Sequence, residues 1–155
     1  MKPSIVLIAA LLAAAPAPSR AQDGERDAVR TVVDRLFQGM AEADSAMARS
    51  AFADGARFAS VAVQEEAATF QYQNVDGWLG AVAGSERRWE ERIHDVEVRV
   101  DDDVASVWAP YTFLLDGEVH HCGVDSMELL RTPEGWKITQ LSDTRRTEGC
   151  AAGEP

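Results

Sequence analysis

Basic residues are scarce in this sequence: 15 Lys and Arg stand against 26 Asp and Glu, a formal net charge of −11 at pH 7. Such a balance repels phosphate backbones and anionic lipid surfaces, so nucleic acid is excluded as a partner. Long apolar runs are also missing. Ile5 to Ala15 is an uncharged apolar stretch of eleven residues, too short for a spanning helix, which needs about 20. Cysteine occurs twice, at Cys122 and Cys150, with no zinc-type spacing. No Gly-rich phosphate loop and no Gly-x-Ser-x-Gly elbow occur, which removes the common nucleotide-binding and serine-hydrolase patterns.

What is there begins with Met1, Lys2 and Pro3, then the apolar stretch, then Pro16 and Pro18, and then Ser19-Arg20-Ala21. A positive start, a short apolar segment and a small-x-small exit are the layout of a secretory signal. Residues 1–21 are expected to be removed after Ala21, with Ala17 the second choice. Residues 22–146 form one domain, and 147–155 a polar tail. The expected location is periplasmic or secreted, with no membrane attachment after cleavage. Removal takes Lys2 and Arg20 away and shifts the net charge from −11 to −13, a bland consequence of which is solubility. Export puts Cys122 and Cys150 in an oxidising compartment. They either stay two separate thiols or form the one pairing possible within the chain, and the pair is the expectation.

Val29, Val32, Val33, Leu36, Phe37 and Met40 recur at spacings of three and four, which predicts a helix over 25–40. Asp44 can cap a short second helix and Asn74 a third, the latter carrying Val75, Trp78, Leu79 and Val82. Asp54-Gly55 reads as a turn between them, and 57–63 and 69–73 as short strands. From Trp89 the period becomes two. Strands are expected over 94–100, 104–115, 118–131 and 136–146, with a strong hairpin signal at Asp116-Gly117. Helices on one side of an antiparallel sheet make an α+β domain.

Counting back from two straight hairpins puts Thr112 opposite His121, Trp108 opposite Asp125, Asp125 opposite Ser142 and His121 opposite Arg146. Opposed residues share a sheet face. One face then carries Val104, Trp108, Leu114, Met127, Leu129, Trp136 and Ile138, with a polar group of Thr112, His121, Asp125, Gln140, Ser142, Thr144 and Arg146. The other carries Val107, Tyr111, Phe113, Cys122, Val124 and Leu141. The first face predicts a small-molecule pocket under the helices. The second predicts a homodimer through the back of the sheet. A slip of one residue would exchange the two.

The element order, the run from Ala43-Asp44 to Phe52-Ala53-Asp54-Gly55, the string His121-Cys122-Gly123-Val124-Asp125, and Gly135-Trp136-Lys137-Ile138 followed by Asp143-Thr144-Arg145-Arg146 resemble the nuclear transport factor 2-like superfamily. That superfamily includes the SnoaL-like cyclases and the ketosteroid isomerases. The last two strings are similar to those of exported bacterial members grouped with lumazine-binding-like proteins. The resemblance implies a cone-shaped, curved antiparallel or mixed sheet wrapped around about three helices from the N-terminal half. It also implies a pocket between sheet and helices, and often a dimer. Fold does not choose among the binding proteins, isomerases and cyclases that share it.

Asp125 is the leading candidate for chemistry. A carboxylate beside an aromatic wall has its pKa raised and suits a general acid or base. The alternative is a structural Asp bonded to Ser142 or to backbone. His121 lies four residues away, roughly 13 Å along a strand, and so cannot bond to Asp125 directly. Arg146 could hold an anionic group or close a salt bridge. His120, His121 and Cys122 alternate across a strand and cannot converge on one ion, so no metal and no cofactor is expected. The ranked functions are an exported domain that binds a small ligand through Trp108, Thr112, His121, Asp125, Gln140, Ser142 and Arg146, then a cyclase- or isomerase-type enzyme using Asp125 and His121, then a dimeric interaction module with an incidental cavity.

Overall fold

The structure is a computed structural model that describes residues 20–64 and 67–150. The expected export signal therefore falls outside the described residues except for its last two positions, as does the end of the tail from 151. Helix α1 (Arg20–Ala41) buries Val29, Val33, Leu36 and Met40 along one face, the stripe its spacing predicts. Asp44 accepts from the Met47 amide at 2.9 Å to start α2 (Ser45–Ser50). Asn74 does the same for the Gly77 amide at the start of α3 (Val75–Gly84). Among the described residues no helix is long and apolar enough to cross a membrane.

Strands β1 (Phe52–Gln64) and β2 (Ala67–Asn74) form an antiparallel pair. Asp54-Gly55 is not the expected turn. It sits inside β1 as an irregularity, where pairing shifts between Phe52 and Arg57 and Gly55 takes a φ of +74°. The expected strand over 94–100 is two strands, β3 (Trp89–Ile93) and β4 (Glu97–Asp101). Both pair with β5 (Val104–Leu115), and Asp95 at φ 44° breaks the run between them. Strands β6 (Glu118–Thr132) and β7 (Gly135–Arg145) complete the sheet. Its seven strands run β2-β1-β7-β6-β5-β3, with β4 also on β5. The β1–β7 pairing is parallel, so the sheet is mixed and the α+β class stands.

The helices pack on one side of this sheet. At one end the space between is filled by Ala105, Val107, Met127, Leu129 and Ile138, all buried. Trp136 closes that end. Its indole Nε1 donates to Glu25 Oε2 at 3.0 Å, and the Arg131 guanidinium, paired with the same Glu25, lies 4.6 Å above its ring. At the other end the side chains do not fill the space, and a cavity remains.

Two irregularities decide which residues face it. In the β5–β6 hairpin the Asp116-Gly117 turn is as expected, with φ of 54° and 85°. Pairing then slips between Phe113 and Leu114. Leu114 opposes Val119, but Phe113 opposes His121, and His120 is the extra residue. In β7 a second slip leaves Thr139 extra, because Leu129 opposes Ile138 while Glu128 opposes Gln140. The straight count is therefore wrong by one residue. Trp108 opposes Ser126, Thr112 opposes Cys122, Asp125 opposes Ala109 and Asp143, and Arg146 bridges to Cys122. The back face expected for a dimer changes with it. Val107, Tyr111, Phe113 and Leu141 are core. Trp108, Val104 and Leu130, each about half exposed, and Phe70 and Tyr72, more so, are among the large apolar groups the outer face offers instead.

Candidate functional site

The cavity has a volume of about 530 Å³, within the range of small-molecule sites. Its walls are apolar: Leu36, Phe37 and Met40 from α1, Phe58 from β1, Trp78 from α3, Trp89 from β3, Phe113 from β5 and Leu141 from β7. Trp78 stacks on Phe58 at 5.8 Å, and Trp89 meets Phe113 edge-on at 5.8 Å, so the walls are braced by aromatic contacts.

The floor is polar and is built by one row across the sheet. Ala109, Asp125, Asp143 and Ser60 are successive partners on β5, β6, β7 and β1. Asp143 is fully engaged. It accepts from Ser60 Oγ, from Arg145 Nε at 2.6 Å and from the Tyr111 hydroxyl at 3.4 Å. Arg145 also donates Nη2 to Ser60 Oγ at 3.2 Å. Tyr111 lies over Gly123, its strand partner, and donates to the Thr144 carbonyl at 2.9 Å. Burial keeps its hydroxyl protonated well above the ordinary phenol range.

Asp125 differs from Asp143. It is only 3 % exposed, and among the described residues its Oδ2 has no hydrogen-bond partner. The contact its carboxyl does make, with Glu91, requires a proton on one of the two acids. Burial raises its pKa well above the carboxylate range, and the neighbouring charge of Glu91 adds to this. Glu91 projects from β3 onto the same cavity and interacts with Asp125 carboxyl to carboxyl. Burial pushes Glu91 up to about 7. Two carboxyls this close cannot both ionise in a low-dielectric site, so the pair holds a proton at neutral pH.

His120 and His121 close the polar side. Because His120 is the bulged residue, both rings line the cavity, with their Nδ1 atoms 2.9 Å apart. This corrects the expectation that neighbouring strand residues must diverge, which a bulge suspends. His121 stacks on Phe113 at 4.7 Å, and burial, with Arg145 and His120 adding, lowers its pKa to about 4. It is neutral at pH 7. Among the described residues no group of three or more His, Cys, Asp or Glu could hold a metal.

Of the seven residues expected to line a pocket, His121 and Asp125 do so. Trp108, Thr112, Gln140, Ser142 and Arg146 lie on the outward row or at its end, with Thr112 bonded to His94 at 3.3 Å and Gln140 to Ser142 at 3.3 Å. Glu91, Asp143, Arg145, Ser60 and Tyr111 are floor residues that the count missed. Period two did carry a signal for Glu91, since it places Trp89, Glu91 and Ile93 on one face. The expected pair is present: Cys122 and Cys150 form a disulfide.

The two titrating sides oppose each other in their effect on stability. Glu91 binds its proton more tightly folded than unfolded, so stability falls as pH rises from about 4.5 to about 7, by roughly 3 kcal/mol at most. His121 binds its proton less tightly when folded, so stability rises from about pH 4 to about 6.5. Asp125, raised in the same direction as Glu91, adds to the fall, so the parent protein should lose stability with pH, less steeply than it would without His121. His121→Gln should fall steeply across that window, and the double change Glu91→Gln with Asp125→Asn should rise across it. Urea midpoints measured from pH 4.5 to 7.5 test this, and identical slopes in all three proteins would defeat it.

A family profile described as SnoaL-like domain matches residues 29–143. No curated protein matches the chain in sequence. Solved structures do match it. An NTF2-like protein of unknown function from Shewanella baltica is 15% identical with a TM-score of 0.62, over 85% of this chain and 100% of that one. An NTF2-like protein with a cystatin-like fold from Novosphingobium aromaticivorans is 14% identical with a TM-score of 0.65, over 83% and 86%. A protein from the NTF2-like family of Streptomyces avermitilis, assigned provisionally as a dehydratase, is 19% identical with a TM-score of 0.60, over 80% and 97%. Likeness at this level is a likeness of fold.

Proposed function

From the premise that this chain belongs to the SnoaL-like domain family, whose fold serves both ligand-binding and enzymatic domains, we propose that it is an exported domain that holds a small, largely apolar molecule between sheet and helices. One observation carries the reading. A cavity of about 530 Å³ with aromatic walls has at its floor a pair of carboxyls, Glu91 and Asp125, that no cation of the described residues neutralises by an ion pair. Apolar walls with a few convergent polar groups are the composition of a ligand pocket. The Cys122–Cys150 bridge supports a location outside the cytoplasm.

The test is native mass spectrometry of the protein taken from its own host, with tryptophan fluorescence during titration of naphthylmethanol as a second measurement. Trp78 and Trp89 line the cavity, so a molecule seated there should quench emission saturably. No co-purifying molecule and no saturable quenching together would sink the reading.

A second reading is an enzyme that moves a proton. Glu91, raised to about 7 beside Asp125, is suited to give and take a proton at neutral pH. Under this reading a turnover measured on the identified ligand should drop by about 10²- to 10⁴-fold in Asp125→Asn. Turnover unchanged in that variant would leave the binding reading alone.

A further inference from the structure

We propose, building on the pocket reading above, that the ligand is a protonated amine: an aromatic or alicyclic body carrying one ammonium, which docks on Glu91 and Asp125. The charged and titratable groups that face the floor come from four strands. They are Glu91 on β3, Tyr111 on β5, His120, His121 and Asp125 on β6, and Asp143 and Arg145 on β7. The helices add none, since α1 and α3 present only apolar side chains to the cavity. At the rim Arg87 is paired with Asp116 at 2.7 Å.

Asp143 and Arg145 cancel as an ion pair, and Arg145 already donates Nε to Asp143 and Nη2 to Ser60. His121 and Tyr111 are neutral at pH 7 for the reasons given above. That leaves the Glu91–Asp125 pair as the floor's unbalanced acidic group, and it is negative once one of its two protons is lost. No N–H or hydroxyl of the described residues reaches Oδ2 of Asp125, whose carboxyl bonds instead to Glu91 through a shared proton, so the pair has acceptor capacity left for a donor from the ligand. A carboxylate ligand would meet like charge in a site of low dielectric, and an alcohol or ketone would leave the charge unanswered. An ammonium supplies donors and charge together. Trp78, Trp89 and Phe113 line the same cavity, and an aromatic face left open to it attracts a cation. Docking would favour the singly ionised pair over the doubly protonated one, so binding releases part of a proton and affinity should rise with pH through neutrality.

The experiment uses the full chain and three probes of one shape: naphthylmethylamine, naphthylmethanol and naphthoate, titrated calorimetrically at pH 7.5. The amine is expected to bind about tenfold or more tighter than the alcohol, and naphthoate weaker than both. Glu91→Gln, alone and with Asp125→Asn, should bring the amine to the alcohol's affinity while the alcohol changes little. Circular dichroism of each variant confirms that it is folded. For the amine in the parent protein, the heat should depend on the buffer's ionisation enthalpy. An amine no tighter than the alcohol, or naphthoate tightest of the three, overturns the inference and leaves the pocket reading standing. If none of the three binds, the inference fails, and the pocket reading fails with it when no molecule co-purifies either.

Discussion

Gly123→Ala should prevent the protein from folding to its native state, or lower its stability by more than about 4 kcal/mol. The reason is steric. A Cβ at this position would lie 1.7 Å from the Thr144 carbonyl oxygen and 2.9 Å from Cε1 of Tyr111. The first neighbour is backbone and cannot swing aside. β6 and β7 would have to part where the Tyr111 hydroxyl bonds Thr144 O at 2.9 Å and Thr144 Oγ1 accepts from the Val124 amide at 3.2 Å. The row holding Asp125 and Asp143 lies two residues from Gly123 on β6 and next to Thr144 on β7, so the floor would be lost with the pairing. Soluble yield and far-ultraviolet circular dichroism during heating test this. A variant melting within a few degrees of the parent would contradict it.

Removing the disulfide should be the next largest effect. Cys122 and Cys150 are 28 residues apart in sequence and 5.5 Å apart at Cα. Closing a loop of that length in the unfolded chain is worth about 3 to 4 kcal/mol. Cys122→Ser with Cys150→Ser should lower the melting temperature by roughly 10 °C. The bridge spans the point where Cys122 and Arg146 exchange two backbone hydrogen bonds of 2.9 Å. Without it the end of β7 frays towards Arg145, and probe affinity should weaken with stability. Calorimetry of the parent with and without reductant, and of the double variant, makes the measurement. An unchanged midpoint in the variant would show that the strand pairing holds the tail alone.

Much of the architecture was legible in the sequence because it rests on local rules. The α1 stripe from Val29 to Met40, the caps at Asp44 and Asn74 and the Asp116-Gly117 turn each follow from spacing or backbone preference. The site was half legible, and the split has one cause. A bulge changes which face a strand presents without any residue type announcing it. His121 and Asp125 sit on the same strand with the same parity, so they moved together and kept company with Met127 and Leu129. Trp136 and Ile138 precede the Thr139 bulge and were also grouped rightly. Trp108 and Thr112 lie across the His120 bulge, and Gln140, Ser142 and Arg146 lie beyond Thr139, so each was placed on the wrong side. Asp143 and Arg145 were hidden by the same slip.

The parallel seam between β1 and β7 sets an order in time. Ser60 and Asp143, which meet across that seam, are 83 residues apart in the chain, and loop closure over such a distance comes late in folding. The β5–β6 hairpin can pair as soon as it exists, but the strand carrying Ser60 has no β7 beside it until the last tenth or so of the chain is in place. During synthesis, then, the helices and the β5–β6 hairpin wait beside an unfinished sheet. The floor of the cavity is the last part of the molecule to come into being.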